Sequence, residues 1–306
     1  MFFLSVYTMG NHYGRKVYSQ NNEDGITLRI LQIISENNIP LNKFFWEFGV
    51  EDGSECNTRI LRNKWNGIIM DGGHEDHKIN LFREIITWEN IWNLIKKYKI
   101  PKDLGLLSID TDYNDAYLAH RLLKKITPSI IIAEYNIDLG LKDMVVIHDP
   151  DHFWDYSKYY GCSALCLQRI YSDYGLISAN SINLFFIHKD ILRKLNFKQK
   201  PLKNIIGQFM KTKHPFKQDY FHRHWVSSKD VNERFVKKTI KYSKQINKEL
   251  NKINLSKLQH YRQKKKFREF EDEVSKIKRN IYNKIKGDKP LIHTLISNRL
   301  SLRSKI

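Results

Sequence analysis

Residues 43–71 read KFFWEFGVEDGSECNTRILRNKWNGIIMD, and the rest of the chain is arranged around them. The run Phe44, Phe45, Trp46 is short and wholly apolar, the pattern of a strand buried on both faces of a parallel sheet. Glu47 closes that strand and a turn bounded by Gly49 and Gly53 follows. Ser54 is placed to cap a helix that residues 57–63 would begin. A second apolar run, Ile68 to Met70, ends on Asp71, 24 residues after Glu47. Strand, glycine turn, helix and a second strand ending in a carboxylate form the grammar of a nucleotide-binding βαβ unit. Glycines let the backbone approach the ligand, and the second acid accepts hydrogen bonds from ribose hydroxyls.

The turn departs from the dinucleotide fingerprint. G-x-G-x-x-G is expected, but only Gly49 and Gly53 are present, with Glu51 and Asp52 between them. Carboxylates at those positions would repel a pyrophosphate. A cationic ligand without phosphate suits the loop better, and S-adenosylmethionine has that character: a sulfonium, an amino group, and a ribose for Asp71. An ordinary βα loop could carry the same two glycines, so the choice rests on the remaining strands.

N-terminal to this unit, Ser19 or Asn22 can cap a helix whose Ile26, Leu28, Ile30, Leu31 and Ile34 face the sheet. The polar cluster Gln20, Asn21, Glu23, Asp24 reads as its solvated start. After Asp71 a Gly-Gly turn leads into a helix over GGHEDHKINLFREI, and a second amphipathic helix covers residues 88–98 until Pro101 ends it. The strand 104–109 runs into Asp110-Thr111-Asp112-Tyr113-Asn114-Asp115. A helix over 116–126 leads to the strand 129–133, which runs into Glu134-Tyr135-Asn136. A loop of about 25 residues follows, a length that inside a compact domain points to function. It holds His148, Asp149, His152, Phe153, Trp154, Tyr159 and Tyr160. A helix over 162–174 and a hairpin of strands 175–179 and 184–188, turning at Asn180-Ser181, complete this part.

Alternating strands and helices imply a parallel, doubly wound sheet with right-handed crossovers. Ligands of such sheets bind beyond the carboxyl ends of the strands. Glu47, Asp71, Asp110 with Asp112, and Glu134 with Asn136 therefore share one rim. Carboxylates crowded there repel one another unless a cation or hydrogen-bonding ligand separates them.

These residues resemble the FkbM-like branch of the S-adenosylmethionine-dependent methyltransferases. The resemblance is carried by SQNNEDG (19–25), FWEFGVEDGSECNT (45–58), MDGG (70–73), LLSIDTDYND (106–115), IIAEYN (131–136) and the closing hairpin. It implies an α/β, Rossmann-like seven-stranded sheet with a terminal antiparallel hairpin. The middle glycine of the family's E-x-G-x-G-x-G turn is replaced by Glu51. The likeness further implies a cofactor site of Glu47, Gly49, Gly53, Asn57, Thr58, Asp71, Gly72 and Asp110, with Asp110 also near the incoming hydroxyl. Family members methylate hydroxyls of sugars and natural products. Some related O-methyltransferases hold a divalent metal between an Asp after the fourth strand and an acid–Asn pair after the fifth. Asp110, Glu134 and Asn136 resemble that set, and oxygen ligands suit Mg²⁺ or Mn²⁺. The activated methyl needs a positioned acceptor and a base, for which Asp110, Asp112 and His148 are the candidates, with His74 and His152 behind them.

Composition bounds the alternatives. The net charge of +19 is uneven: residues 196–306 hold 30 Lys+Arg and 9 Asp+Glu, +21, leaving −2 for residues 1–195. The division is a methyltransferase domain over 1–195 and a basic, mainly helical extension over 196–306, helical from 230 to 286. Such an extension suits a polyanion or an anionic membrane surface. Gln263-Lys264-Lys265-Lys266-Phe267-Arg268 is its most basic patch. No run of about 18 apolar residues predicts a transmembrane helix, and the opening MFFLSVYTMG lacks the basic start of a signal peptide. Cys56, Cys162 and Cys166 lack zinc spacing and read as thiols of a reducing, cytoplasmic compartment. Two further readings stand beside a sugar or glycan O-methyltransferase. Ribose methylation of RNA would draw on the basic extension, but the rim lacks the lysines of a Lys-Asp-Lys-Glu set. A non-catalytic protein keeping the fold would have lost one of Glu47, Asp71 or Asp110, and all three are present.

Overall fold

In the computed structural model, residues 16–210, 219, 221–264 and 267–303 are described. The opening MFFLSVYTMG, and Lys265 and Lys266 of the basic patch, lie outside them. Strands β1 (Asn42–Phe48), β2 (Asn66–Asp71), β3 (Leu81–Arg83), β4 (Leu104–Ile109) and β5 (Ile130–Glu134) precede β6 (Val145–Val146), β7 (Tyr174–Ala179) and β8 (Asn183–His188). Seven of them form one sheet in the order β3-β2-β1-β4-β5-β8-β7. Its first five strands are parallel, and β8 runs antiparallel to both β5 and β7. The expected seven-stranded α/β sheet with a terminal hairpin is present.

Strand periodicity sorts the side chains into two layers. Phe45, Ile69, Leu106, Ile130 and Ile132 face a layer with α1 (Glu23–Glu36) and α5 (Lys189–Lys194). Trp46, Phe48, Leu107, Ile109, Ile131 and Ala133 face the layer of α2 (Ile91–Lys97), α3 (Asp115–Leu122) and α4 (Ala164–Ile170).

Three local expectations are corrected. The helix expected from residue 57 is a single 3₁₀ turn, Arg59–Leu61, because the N–H groups of Asn57 and Thr58 turn back to Glu47 and β2 already starts at Asn66. Ser54 caps nothing there; its N–H donates to Asp52 Oδ1 at 2.8 Å. The stretch after Gly72-Gly73 forms a 3₁₀ turn, His77–Ile79, and the short edge strand β3. Three residues are too few to show strand alternation.

The basic extension carries α6 (Leu202–Ile206), β9 (Trp225–Val226), α7 (Glu233–Leu250), α8 (Ser256–Gln263), α9 (Phe267–Lys284) and α10 (Lys289–Arg303). Its charge boundary is not a packing boundary. Ile205, Ile206, Phe209, Val231 and Val236 share the cluster of Trp46 and Leu107. β9 pairs antiparallel with β6, and Ile147 enters the core that α7 to α10 build among themselves. Among the described residues, no helix is long and apolar enough to cross a membrane.

Candidate functional site

The strand order reverses between β1 and β4, the place where open α/β sheets bind ligands. The two strand ends touch. Gly49 adopts φ +69°, and a Cβ there would lie 1.7 Å from the Asp110 carbonyl oxygen. That glycine is required by the packing of the turn on β4. Glu51, midway between Gly49 and Gly53, adopts φ +48°, a left-handed conformation that costs a non-glycine residue roughly 1–2 kcal/mol. The turn keeps the shape of the glycine pattern where the pattern itself lapses.

Glu47, Asn57 and Thr58 were expected around the cofactor, and they bond chiefly to the frame. Glu47 is buried. Its Oε1 accepts from Asn57 N at 2.8 Å, and Oε2 from Thr58 N at 2.9 Å and Thr58 Oγ1 at 2.5 Å. Asn57 Nδ2 donates to Ser108 Oγ at 3.1 Å. Burial raises the Glu47 carboxyl above its ordinary value even against these hydrogen bonds. Asp71 stands at the tip of β2. Its Oδ1 accepts from Gly73 N, His74 N and His74 Nδ1, whereas among the described residues Oδ2 accepts from Glu51 N alone, at 3.0 Å. A carboxylate offers about four acceptor sites, so Oδ2 is the oxygen with capacity for a hydroxyl. At Gly72 a Cβ would meet only Ile85, at 4.0 Å, so no local contact demands glycine there.

Beyond β4 and β5, Asp110, Asp112 and Glu134 converge, each offering an oxygen within 4.8 Å of the others. Asp110 and Glu134 are half-buried, and Asp112 reaches the surface with φ +64°. Burial, then the charges of Asp112, Asp115 and Glu47, raises the Asp110 carboxyl well above the usual range. Burial, then Asp110, Asp112 and Asp115, does the same to Glu134. Asp112 is pushed up to about 6 by loss of water contact and then by Asp115, Glu51 and Asp71. Asp115 completes the repulsion from below. It is buried, its Oδ1 accepts from Thr111 N and Oγ1 at 2.6 Å each, and its Oδ2 has no hydrogen-bond partner. Three crowded carboxylate oxygens suit a hard divalent cation or the positive end of a ligand.

Two further expected members make other bonds. Asn136, expected as a metal ligand, is buried, with Nδ2 donating to Lys158 O and Tyr160 O at 3.1 Å each. Its Oδ1 accepts from Asp138 N. Asn136 thus pins the following loop, and Asp112 is the third carboxylate of the cluster. His148, a candidate base, is buried beneath the extension. Its Nδ1 lies 2.8 Å from Thr239 Oγ1 and its ring 5.1 Å from that of Tyr117. Burial pushes it down to about 3, so it is neutral and serves the interface with α7. His152 is likewise buried and pushed down to about 3. His74 alone of the three stays at the rim, bonded to Asp71.

Sequence reasoning missed other charged residues. Glu23 and Asp24 are fully buried, not solvated. Glu23 Oε1 accepts from Asn180 Nδ2 at 2.6 Å and Asn183 Nδ2 at 3.1 Å, joining the start of α1 to the β7–β8 turn. Asp24 Oδ2 gathers the N–H groups of Val17, Tyr18 and Ser19. Two buried arginines of the extension clamp the long loop. Arg299 is bidentate on Asp149, at 2.5 and 2.6 Å, and reaches Asp151 at 2.8 Å. Arg223 pairs with Asp155 at 3.0 Å and Asp219 at 2.9 Å, and its guanidinium lies 4.6 Å from the centre of the Tyr159 ring. Only the polar and aromatic wealth of residues 148–160 hinted at these partners.

Compared with protein-family models and with curated proteins, the chain matches none.

Proposed function

We propose that this chain is an S-adenosylmethionine-dependent O-methyltransferase acting on a hydroxyl of a sugar or glycan. One observation carries the reading: Asp110, Asp112 and Glu134 crowd at the end of β4 and β5, beside the switch point where such sheets hold their ligands. The rim is acidic throughout, which favours a cationic, phosphate-free cofactor over a dinucleotide.

Bound S-adenosylmethionine supplies an already activated methyl group. Asp71 Oδ2 would accept a hydrogen bond from a ribose hydroxyl, and the space over Gly72 leaves the approach to it open. Asp110, at the end of β4 beside Asp112 and Glu134, would take the proton of the acceptor hydroxyl. Asp110, Asp112 and Glu134 would together hold Mg²⁺ or Mn²⁺, which lowers the pKa of a nearby hydroxyl. His148 is buried and bonded to Thr239, so the proton transfer is assigned to Asp110 in its place.

The exposed face of α7 carries Arg234, Lys237, Lys241, Lys244 and Lys248, and we assign it to a polyanionic partner. Such binding weakens steeply with salt as condensed counterions are released.

The test is transfer of labelled methyl from S-adenosylmethionine to a panel of methyl pyranosides, with Mg²⁺ and with excess chelator. Label should appear on sugar oxygen, and Asp110→Asn should lower the rate by roughly 10²–10⁴-fold. Full activity in chelator would remove the metal and leave Asp110 as a simple base. Failure of the wild type to bind the cofactor would sink the whole reading.

A further inference from the structure

The two faces of α7 differ sharply. Arg234, Lys237, Lys241, Lys244 and Lys248 are all exposed and recur at intervals of three and four residues. At about 100° and about 1.5 Å per residue they fall within an arc about 80° wide and span about 21 Å. Val236, Thr239, Ser243, Ile246 and Leu250 are buried on the opposite side, so the cations form the outermost ridge of the helix. Among the described residues, Lys237 alone of the five meets a carboxylate, Glu233, at 2.9 Å. The ridge continues onto the sheet domain. Glu233 is held below its ordinary value by Lys237 first, then by Lys124 and Arg121, and Lys124 and Lys125 are exposed just past the end of α3.

Helix stability does not call for this ridge. Like charges three or four residues apart destabilise a helix, and here such pairs follow one another along its length. α9, also 18 residues long, shows the alternative. Its exposed Arg268, Glu271, Asp272, Lys276 and Arg279 mix both signs, and Lys276 lies 3.9 Å from Glu273. A lysine-rich composition therefore does not by itself produce a ridge of one sign.

We propose that the α7 ridge docks the protein on an anionic lipid surface, as a peripheral contact made by lysine and arginine alone. This rests on the polyanionic assignment of α7 above and names the partner; it is independent of the methyl-transfer chemistry. Shape decides between lipid and nucleic acid. The flanks of the ridge are closed: Lys238 is taken by Asp288 at 2.7 Å, and Glu249 by Lys252 at 2.7 Å and Lys284 at 3.3 Å. A helix seated in a nucleic-acid groove meets phosphates on both walls and uses cations around a wide arc. A narrow, convex line of charge instead meets a flat surface along its whole length. Single strands are held in a concave groove with aromatic platforms, and among the described residues α7 exposes no large apolar side chain. Its apolar face is spent on the core, so the helix does not insert into lipid as an interfacial helix would. The attraction is electrostatic, as for other lysine and arginine clusters at anionic leaflets.

The test is sedimentation of the full chain with phosphatidylcholine vesicles, with and without phosphatidylserine, beside calorimetry with S-adenosylhomocysteine. Protein should sediment only with the phosphatidylserine vesicles and be released as salt rises from about 50 to about 200 mM. Each neutralised cation should weaken partitioning about 5-fold, so Lys241→Gln/Lys244→Gln should lose about 25- to 30-fold. The α9 pair Lys276→Gln/Arg279→Gln removes the same net charge and should partition as wild type does. Gln matches Lys in helix propensity, so the α7 variant should unfold at the same urea concentration as wild type or higher. Equal losses in the two double variants, or a lower urea midpoint in the α7 variant, overturn the ridge as a docking face. No partitioning by the folded wild type overturns the membrane, and failure to bind duplex RNA as well removes the polyanionic assignment with it. Duplex RNA that strips the protein from vesicles at equal phosphate concentration overturns the membrane in favour of nucleic acid. Partitioning without cofactor binding supports docking and removes the methyltransferase; cofactor binding without partitioning does the reverse.

Discussion

Carboxylates gather in two regions of this molecule, and they fare differently. At the ends of β4 and β5, Asp110, Asp112 and Glu134 face one another, and burial first, then the charges of neighbouring carboxylates, raises all three above the usual carboxylate range. Beneath the extension, Asp149, Asp151 and Asp155 are met by Arg299 and Arg223, and both Asp151 and Asp155 are driven below the ordinary carboxylate range. The second region is electrostatically complete and belongs to the architecture. The first, among the described residues, carries excess negative charge beside the switch point of the sheet, where open α/β sheets bind ligands. Burial by itself does not distinguish a site from a core; compensation does.

The largest expected effects fall on the complete region. Removing one member of a buried ion pair leaves a charge without its counterion, at a cost of roughly 3–5 kcal/mol. Arg299→Ala should therefore lower the urea midpoint sharply, and truncation after residue 200 should give insoluble protein because it strips Ile206 and Val236 from the central core. A soluble, cofactor-binding truncation would show the two regions to be separable after all. Next comes Asp110→Asn, which should cut methyl transfer as stated above without lowering stability. Unfolding of that variant at lower urea than the wild type would move Asp110 into the architectural group.

The two regions should also titrate in opposite senses. Asp112 rises from 3.8 to about 6 on folding, so its contribution is intact below pH 4 and lost as pH climbs through 6. Asp112→Asn should stabilise the protein at pH 7 and lose the pH-dependent part of that gain below pH 4. The screened surface position limits that part to about 1 kcal/mol. His148 and His152 fall from 6.5 to about 3. Their contribution is present above pH 6.5 and lost as pH falls toward 3. Chemical denaturation from pH 7 to 4 should show the wild type losing stability through this pair, and His148→Gln should flatten that loss. Parallel pH profiles for Asp112→Asn and His148→Gln would erase the distinction.

Six of the seven sheet strands were legible in the sequence, because each carries its own apolar run and ends at a carboxylate or a turn. The edge strand Leu81–Arg83 was not, since its partner β2 makes it a strand and its three residues do not. The rim was legible for the same reason as the strands: parallel topology brings their ends together. Which carboxylates are paired was not legible. Asp149 meets Arg299 across 150 residues, and Glu23 meets Asn180 across 157; no local pattern encodes such contacts. His148 looked available as a base because its loop is polar, and only the packing of α7 shows it sealed.

Calorimetric titration of the full chain with S-adenosylmethionine tests the uncompensated rim most directly. Wild type should bind, and Asp71→Ala should bind about 10- to 100-fold more weakly, the worth of roughly 1.5–3 kcal/mol for a charged hydrogen bond. Arg299→Lys, which keeps the positive charge beneath the extension, should leave cofactor affinity unchanged wherever it folds. No heat with the folded wild type, or equal affinity in Asp71→Ala, would contradict a cofactor site at this rim.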